Sequence, residues 1–421
     1  MKTFRMMAIA GCMAVVASGC SSDEPKAESG EFVPAGKGYN YVAPLASRST
    51  LGLDAAAVQG FNEWAFSFNK LMASSSQSDY YIFSPVGLSA CLSMIADSYD
   101  AESAAKVVKS AGMTDTEELR NVSTSLMSYL TDQSHKAQLF FANAVWYDTP
   151  LTLNGGYRDR MARTYGATVS QIDFASDLST ETVNGWISDN TRGLIKDIEK
   201  ILIKGNDIKF ANTIYFESTW AEPFKPEMTA PGKFYGSRTV SETEMMHGLM
   251  HAGYYADDVM HMVGLPYTGD YTLFVIRPVG ENKIDDIAGA MTYSRFGEII
   301  GSLTQCEAEL TVPKLTFESA INVYTPLLSL GYPTDKDVVA LSADASDKEV
   351  FLGSDARIVR QNVWFSLDEE GTKAAALTHT GDFLSTSPEK VEFKVDGPFM
   401  LVLINNKHRI PLFMGCIHNL E

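Results

Sequence analysis

The N-terminal part of the patterned chain has the spacing of successive amphipathic helices. Between residues 54 and 73, apolar residues recur three or four positions apart, at Val58, Phe61, Ala65, Phe68 and Met72. This spacing places them on one face and predicts a helix. Further helical patterns follow at 86–97, 101–112 and 116–131. We therefore expect four helices before residue 132.

From residue 138 onward the pattern is mostly that of strands. The apolar runs QLFFANAVWYD and IKFANTIYFEST predict two strands, with a helix at 180–190 between them. Past residue 230 strands dominate, interrupted by one helical pattern near 285–302. The final PFMLVLINNKHRIPLFMGCI has two apolar runs around a turn, which is typical of a hairpin buried on both faces. Helices first and strands later indicate an α+β fold, with one domain over residues 51–421.

One long segment near the C-terminus carries neither pattern. Residues 368–390, DEEGTKAAALTHTGDFLSTSPEK, are mostly small and polar. They lack the apolar stripe of a buried helix and the bulky β-branched residues of a core strand. No proline occurs between 369 and 387, so every residue there can donate its N–H to a sheet. The composition of this segment calls for a functional explanation.

The first twenty residues have the composition of an export signal. A positively charged start precedes the short apolar run 6–16, and Ala-Ser-Gly then leads into Cys20. This arrangement resembles a bacterial lipoprotein signal, which predicts removal of residues 1–19 and lipidation of Cys20. The alternatives are a plain secretory signal or an uncleaved anchor, although the run is short for a membrane span. Residues 20–50, rich in Ser, Gly, Pro and Ala, predict a flexible tether.

Charge and cysteine content exclude some classes of function. The 421 residues carry a net charge of −18, which disfavours nucleic acid as a partner. Cys91, Cys306 and Cys416 lie far apart in the predicted domain and form no C-x-x-C pair, so we do not expect a disulfide framework. We expect these three side chains to be buried as small apolar groups.

Catalytic motifs are missing from the sequence. There is no G-x-S-x-G nucleophile motif, no Walker A loop and no H-E-x-x-H zinc motif. The best metal candidates are His247, His251 and His261, but Gly248 and Gly253 weaken a chelating helix there. We interpret these histidines as surface or packing residues. The sequence therefore predicts no metal, no cofactor and no enzyme.

Five collinear segments resemble one protein family, the serpins, which are serine protease inhibitors of the suicide-substrate type. They are IFSPVGLSACLSMI, VNGWISDNTRGLIKDI, FANTIYFESTWAEPF, DEEGTKAAA and VEFKVDGPFMLVLI, the last followed by PLFMGCIHNL. The similarity spans residues 61–420. The fold that this resemblance implies has three β-sheets, eight or nine helices and an exposed reactive-centre loop, here at about residues 369–390.

The resemblance also implies a mechanism that suits the small residues of the loop. A protease cleaves the loop, which then inserts as a new strand into the central sheet and carries the acyl-bound protease with it. In the family register, four residues of the loop would face the core, namely Thr372, Ala374, Ala376 and Thr378. All four are small and uncharged, whereas a charge there would cost several kcal/mol. The segment would thus be a strand that forms after cleavage.

Functional positions follow from the same resemblance. The hinge of the loop would comprise Glu369, Gly371, Thr372, Ala374, Ala375 and Ala376. The breach and shutter, where the sheet must open, would comprise Ser84, Pro85, Asn212, Trp220 and Gln361. Gln361 stands where the family usually has a histidine. A glutamine can still form hydrogen bonds between strands, but it does not titrate.

The family loop length places the scissile bond at Ser385–Thr386, or at Leu384–Ser385 if the loop is one residue shorter. Serine before the bond favours elastase- or subtilisin-like proteases, whereas Leu384 or Phe383 favours chymotrypsin-like ones. No Arg or Lys occurs between 374 and 389, which disfavours trypsin-like targets.

We therefore expect a monomeric inhibitor that forms a covalent acyl complex with serine proteases, and with papain-like cysteine proteases as a second target class. Its only link to a membrane would be a lipid at Cys20, on the surface or periplasmic face of a Gram-negative outer membrane. The main alternative is a non-inhibitory protein of the same fold that is cleaved as a substrate or acts as a binding module. A second alternative, an unrelated hydrolase, is disfavoured by the missing motifs.

Overall fold

Nine α-helices and 18 strands lie in the part of the chain that the structure describes. The computed structural model describes residues 53–76, 78–132, 137–149, 151–196, 208–334, 336–342, 349–352, 360–372 and 389–420. All of these belong to one compact unit. The predicted signal peptide, Cys20 and the predicted tether lie outside the described residues.

The helices begin where the sequence provides capping residues. The nine are α1 (Ala55–Ser75), α2 (Pro85–Ala96), α3 (Ala101–Ser110), α4 (Thr116–Leu130), α5 (Gly155–Tyr165), α6 (Asp177–Asn190), α7 (Ile284–Ala290), α8 (Tyr293–Gly301) and α9 (Tyr324–Ser329). Asp54, Ser84 and Asp115 accept hydrogen bonds from backbone N–H groups in the first turns of α1, α2 and α4. The four helices expected before residue 132 are confirmed. The single helix expected near 285–302 is wrong, because Thr292 caps the start of a second helix, α8.

The strands form three sheets. They are β1 (Tyr80–Phe83), β2 (Gln138–Asp148), β3 (Thr152–Leu153), β4 (Thr168–Ile172), β5 (Ile208–Thr219), β6 (Ala230–Tyr235), β7 (Val240–Ala256), β8 (Met260–Pro266), β9 (Tyr271–Pro278), β10 (Thr304–Pro313), β11 (Leu315–Asn322), β12 (Lys336–Ser342), β13 (Glu349–Leu352), β14 (Arg360–Leu367), β15 (Gly371–Thr372), β16 (Glu389–Lys394), β17 (Phe399–Asn405) and β18 (Ile410–Ile417). The two strands predicted from QLFFANAVWYD and IKFANTIYFEST are β2 and β5, over the predicted residues.

The six-stranded sheet has the order β11-β14-β5-β2-β4, with the short β15 beside β5, and we call it the central sheet. A nine-stranded sheet has the order β1-β18-β17-β9-β8-β7-β10-β16, and β6 pairs with β7. The smallest sheet has the order β13-β12-β3. Within the central sheet, β5 and β14 are parallel neighbours, whereas β5 is antiparallel to β2 and β14 is antiparallel to β11.

The core packs buried residues of the helices against those of the two large sheets. Helix α2 contacts both β5 and β18, and all of its residues are buried. The hairpin of β17 and β18 is also buried throughout, which confirms the prediction from its two apolar runs. Cys91, Cys306 and Cys416 are free thiols inside the core, as expected. Among the described residues, none of the helices combines the length and apolarity needed to cross a bilayer.

Candidate functional site at the opening of the central sheet

The boundary between β5 and β14 is the weakest seam of the central sheet. Within the described residues these two strands pair at two positions, Asn362 with Thr213 and Val363 with Ile214. By contrast, β5 pairs with β2 along the whole of 138–147. Beyond Ile214 on β5 and Val363 on β14, the backbone N–H and C=O groups of the two strands are therefore not paired with each other. Another strand could bind in this gap between them.

Two residues of the hinge, Gly371 and Thr372, already lie beside β5 in this region. Gly371 pairs with Thr219 and Thr372 pairs with Ser218, so that β15 runs antiparallel to β5. Gly371 has a φ of +146°, and a Cβ atom there would lie 2.3 Å from the backbone oxygen of Ser218. Only glycine therefore fits this position. Thr372 is 1% exposed, and its hydroxyl lies 2.8 Å from the hydroxyl of Tyr267.

Trp220 fixes the turn that leads into β15. Its indole Nε1 donates to the carbonyl oxygen of Asp368 at 3.0 Å, and its backbone N–H donates to Glu370 at 2.9 Å. The indole ring stacks on Tyr267, with the ring centroids 4.3 Å apart. Because Tyr267 also contacts Thr372, one aromatic pair supports both the turn and the inserted threonine.

Glu369 makes the polar contacts that hold the same turn. Its carboxylate accepts hydrogen bonds from Lys314 Nζ at 2.7 Å and Thr229 Oγ1 at 2.8 Å. Burial raises the pKa of Glu369, but these hydrogen bonds outweigh it, and the pKa lies below its ordinary value of 4.5. The same contact raises the pKa of Lys314. The hinge is thus tied to the junction of β10 and β11 by an ion pair.

At the end of the seam where β5 and β14 are paired, Gln361 connects β14 to the start of α2. Its side-chain oxygen accepts from the backbone N–H of Ser84 at 2.7 Å, and its amide nitrogen donates to the carbonyl oxygen of Ser84 at 2.9 Å. Ser84 also caps α2, and Pro85 occupies the first turn of that helix, where its missing N–H costs nothing. One uncharged amide therefore joins a strand to a helix end through two bonds.

Asn212 on β5 completes this end of the seam. Its amide nitrogen donates to Asn143 Oδ1 at 2.8 Å, and Asn143 in turn donates to the carbonyl oxygen of Tyr165 at 2.9 Å. A Cβ atom on Gly87 would lie 2.2 Å from Asn212 Oδ1 and 2.8 Å from Gln361 Nε2. The glycine therefore lets the first turn of α2 approach β5 and β14 together.

Several buried polar atoms on the two seam strands have no hydrogen-bond partner among the described residues. They are Asn212 Oδ1, Thr213 Oγ1 and Ser218 Oγ on β5, and Asn362 Oδ1 and Ser366 Oγ on β14. An unsatisfied buried polar atom typically costs about 1–3 kcal/mol. Five of the ten buried polar atoms without a partner among the described residues thus lie on these two strands.

The sequence missed several residues of this site. Lys314, Thr229 and Tyr267 come from separate segments, and no local pattern marks them as neighbours of the hinge. Gly87 lies in the quoted segment IFSPVGLSACLSMI, but its contact with Asn212 and Gln361 was not predicted. The other hinge residues and the candidate scissile positions lie outside the described residues: Ala374, Ala375, Ala376, Leu384, Ser385 and Thr386.

The three candidate metal-ligating histidines lie in strands and form separate contacts. His247 contacts Thr311 Oγ1, His251 contacts the Glu222 carboxylate at 2.8 Å, and His261 contacts Tyr254. The described residues contain no group of three His, Cys, Asp or Glu side chains that could hold a metal ion.

Comparisons with known proteins agree with this architecture. Residues 59–420 match the family model described as serpin (serine protease inhibitor). The chain is 26% identical to "Iris" of Ixodes ricinus, over 80% of this chain and 91% of that protein. It is 28% identical to a serine protease inhibitor of Cyanea capillata, over 80% of this chain and 92% of that protein.

Solved structures show the same fold at low identity. Human thyroxine-binding globulin in complex with its ligand superposes with a TM-score of 0.75 at 20% identity, over 87% of this chain and 98% of that one. The thermophilic serpin tengpin in its native state gives a TM-score of 0.72 at 21% identity, over 88% of this chain and 95% of that one. The chain belongs to the serpin family, whose members are generally serine protease inhibitors.

Proposed function

We propose that this protein is a suicide-substrate inhibitor of elastase-, subtilisin- or chymotrypsin-like serine proteases, with papain-like cysteine proteases as further targets. It acts as a monomer, and its cleaved loop enters the central sheet with the acyl-enzyme attached. The observation that carries this proposal is the open seam. The pairing of β5 with β14 ends after Ile214 and Val363, while Gly371 and Thr372 already pair with the top of β5.

Energetics support the same mechanism. Inserting about a dozen residues forms on the order of ten to twenty backbone hydrogen bonds, each worth roughly 0.5–1.5 kcal/mol net. The sum is on the order of 10 kcal/mol before the entropy lost by ordering the loop is subtracted. The unpartnered polar atoms on β5 and β14 would add to this gain wherever the inserted strand supplies partners.

The direct test is incubation with elastase, chymotrypsin and subtilisin, followed by denaturing gels. We expect a covalent complex with at least one of them, and no complex when the catalytic serine of the protease is blocked beforehand. Cleavage with full recovery of protease activity would favour the alternative, a protein of this fold that does not trap proteases. Thyroxine-binding globulin, named for a ligand, shows that the fold is compatible with binding functions.

The scissile bond is proposed at Ser385–Thr386, with Leu384–Ser385 as the alternative. Mass spectrometry of the C-terminal peptide released by the protease distinguishes them, because the peptide begins at Thr386 in the first case and at Ser385 in the second.

We further propose that the mature chain begins at a lipid-modified Cys20 and is held at the outer membrane of a Gram-negative bacterium. The support is the sequence alone: a charged start, a short apolar run and Ala-Ser-Gly before the cysteine. Radioactive palmitate should label the expressed protein, and Cys20→Ser should abolish the label. Equal labelling of both would exclude this site.

A further inference from the structure

A histidine on β8 belongs to a polar cluster that supports β16, the strand that follows the predicted reactive loop. His261 directly opposes Arg277 of β9 in the register of the nine-stranded sheet. The imidazole Nδ1 lies 3.1 Å from a guanidinium nitrogen of Arg277 and 3.1 Å from the hydroxyl oxygen of Tyr254 on β7. Because β7, β8 and β9 are adjacent strands, these three side chains form one group, which we call the histidine cluster.

The contact with Arg277 fixes the protonation state of the His261 ring. A guanidinium carries N–H donors and no acceptor. The contact is therefore a hydrogen bond only if Nδ1 carries no proton, which is the neutral imidazole with its proton on Nε2. Burial lowers the pKa of His261, and the positive charge of Arg277 lowers this pKa further. Protonation of Nδ1 would remove the acceptor and place two cations side by side.

The remaining titratable groups around the imidazole, among the described residues, come from β7, from the turn after it and from α8. Tyr254 supplies a hydroxyl, which can donate to Nδ1 or accept from it. Asp257, in the turn, favours the protonated ring through its charge. However, this carboxylate already accepts hydrogen bonds from the Tyr255 hydroxyl and from two backbone N–H groups, and it lies 4.0 Å from Arg295 of α8.

Arg277 and Tyr254 connect the histidine cluster to Phe393 of β16. The guanidinium carbon of Arg277 lies 5.6 Å from the centroid of the Phe393 ring, and the Tyr254 ring meets this ring edge-on at 6.4 Å. Phe393 is fully buried and is paired in register with the uncharged Leu310 of β10. The Nε atom of Arg277 is buried and has no hydrogen-bond partner among the described residues. The bond to His261 therefore directs this guanidinium over Phe393.

The attachment of β16 depends on few other strands. Within the described residues, β16 is the last strand of the nine-stranded sheet and pairs on one side, with β10. This pairing is parallel, and parallel pairs are slightly less stable per residue than antiparallel ones. The chain before Glu389 belongs to the predicted reactive loop, so β16 anchors the C-terminal end of that loop. A change in the packing of Phe393 should therefore be felt at this anchor.

We propose that the contact between His261 and Arg277 is a pH-sensitive switch on the attachment of β16. Above about pH 6.5 the imidazole is neutral, accepts a hydrogen bond from Arg277 and keeps the guanidinium over Phe393. In mildly acidic solution the imidazolium repels Arg277, Phe393 loses this contact, and β16 separates from β10 more often. The switch does not rest on the proposed inhibitory function. In an inhibitor it makes the anchoring of the loop depend on pH.

The direction of the pH effect follows from proton binding. In the closed form the pKa of His261 lies below its ordinary value of 6.5, whereas an imidazole released from Arg277 returns toward that value. The open form therefore binds more protons, and acid favours opening as the pH falls below 6.5. At pH 5.5 a group with a pKa of about 6.5 is protonated roughly ten times as often as not, so the opening equilibrium should rise at most about tenfold.

The test is hydrogen–deuterium exchange of the intact, full-length protein at pH 7.5 and pH 5.5, with each rate divided by that of the unfolded chain at the same pH. We expect the backbone N–H groups of β16 to be about five- to tenfold less protected at pH 5.5 than at pH 7.5. Strand β17 is buried and lies between β9 and β18. It is the internal reference and should keep its protection.

Two variants should remove the pH effect, and a third should keep it. In His261→Gln the amide oxygen can accept from Arg277 at either pH and does not titrate. Arg277→Met keeps an unbranched apolar side chain beside Phe393 without the second cation. His247→Gln is the matched control, because His247 of β7 contacts the Thr311 hydroxyl, which can pair with a neutral or a protonated ring. This control should lose protection in acid as the parent does.

The outcomes decide the switch without any protease. Equal protection of β16 at the two pH values in the parent would overturn it. A loss of protection that persists in both His261→Gln and Arg277→Met would also overturn it, because acid would then act at another group. If one of these variants does not fold, the other decides. Failure of the switch leaves the proposed inhibitory function standing, and a protein that traps no protease can still show the switch.

Discussion

At the scale of single residues, the hinge is held by side chains that lie far apart in the sequence. Glu369 reaches Lys314 and Thr229, and Thr372 reaches Tyr267. Each contact joins the loop to a different element, so the intact conformation depends on all of them. Single substitutions here should therefore change the stability of the intact form.

Glu369→Ala should lower the stability of the intact protein by about 1 kcal/mol. The value is modest because the Lys314 side chain is 46% exposed and water screens the pair. Thermal unfolding of the intact form measures the loss. Glu370→Ala, the exposed neighbour on the same turn, is the matched control and should unfold like the parent.

The same pair predicts a pH dependence. The pKa of Glu369 in the folded protein lies below its ordinary value of 4.5, so its contribution is present above that value and is lost as the pH falls through the lower folded pKa. The difference in unfolding temperature between the parent and Glu369→Ala should therefore shrink between pH 5 and pH 3. A difference that stays constant over this range would show that the carboxylate charge is not involved.

Thr372→Arg should convert the inhibitor into a substrate. Thr372 is 1% exposed, and a charged side chain in this site would cost several kcal/mol. Denaturing gels should show cleavage without a covalent complex. Lys373→Arg, at the next residue and on the opposite side of an extended strand, should still trap protease. Trapping by Thr372→Arg at the level of the parent would show that burial of this side chain does not limit insertion of the loop.

At the scale of elements, the start of α2 and the strand β14 act as a unit through Gln361. The two hydrogen bonds between Gln361 and Ser84 join them at the lower end of the seam. Gly87 allows this approach because no side chain intervenes. Opening the seam farther than this point requires these bonds to break or α2 to move with β14.

Gln361→Ala should destabilise the intact form by about 2 kcal/mol, because it leaves the buried N–H of Ser84 without a partner. It should also speed the uptake of a synthetic peptide with the sequence of loop residues 372–384 into the central sheet. Urea unfolding of the intact protein measures the first effect. Gln171→Ala, on the outer strand β4 and with its amide bonded to Leu151, is the control for loss of one glutamine contact and should leave uptake unchanged.

Secondary structure was predictable from the sequence where one element buries one regular pattern. Helix α1 and the strands β2 and β5 have the predicted type because their apolar spacing is unambiguous. The break between α7 and α8 was missed, since a single capping threonine, Thr292, interrupts an otherwise helical pattern. The contacts of Glu369 with Lys314 and Thr229 could not be predicted either. Its partners are 55 and 140 residues away in sequence, and only the folded topology brings them together.

At the scale of the whole molecule, the central sheet combines extensively paired strands on both sides with a sparsely paired seam between β5 and β14. Its outer strand pairs follow long registers, whereas β5 and β14 meet at two positions within the described residues. Unpartnered buried polar atoms lie on both seam strands. These features are expected of a chain that folds to a kinetically trapped state, from which a barrier blocks a more stable arrangement.

The central claim is that cleavage in the loop lets the protein reach that more stable arrangement. The most direct test is the unfolding temperature of the intact protein and of the protein cut near Ser385, measured by calorimetry under the same conditions. A gain approaching about 10 kcal/mol should raise this temperature by roughly 10–15 °C in a domain of this size. If the cut and intact proteins unfold at the same temperature, no stabilisation accompanies cleavage, and the account of inhibition by strand insertion is wrong.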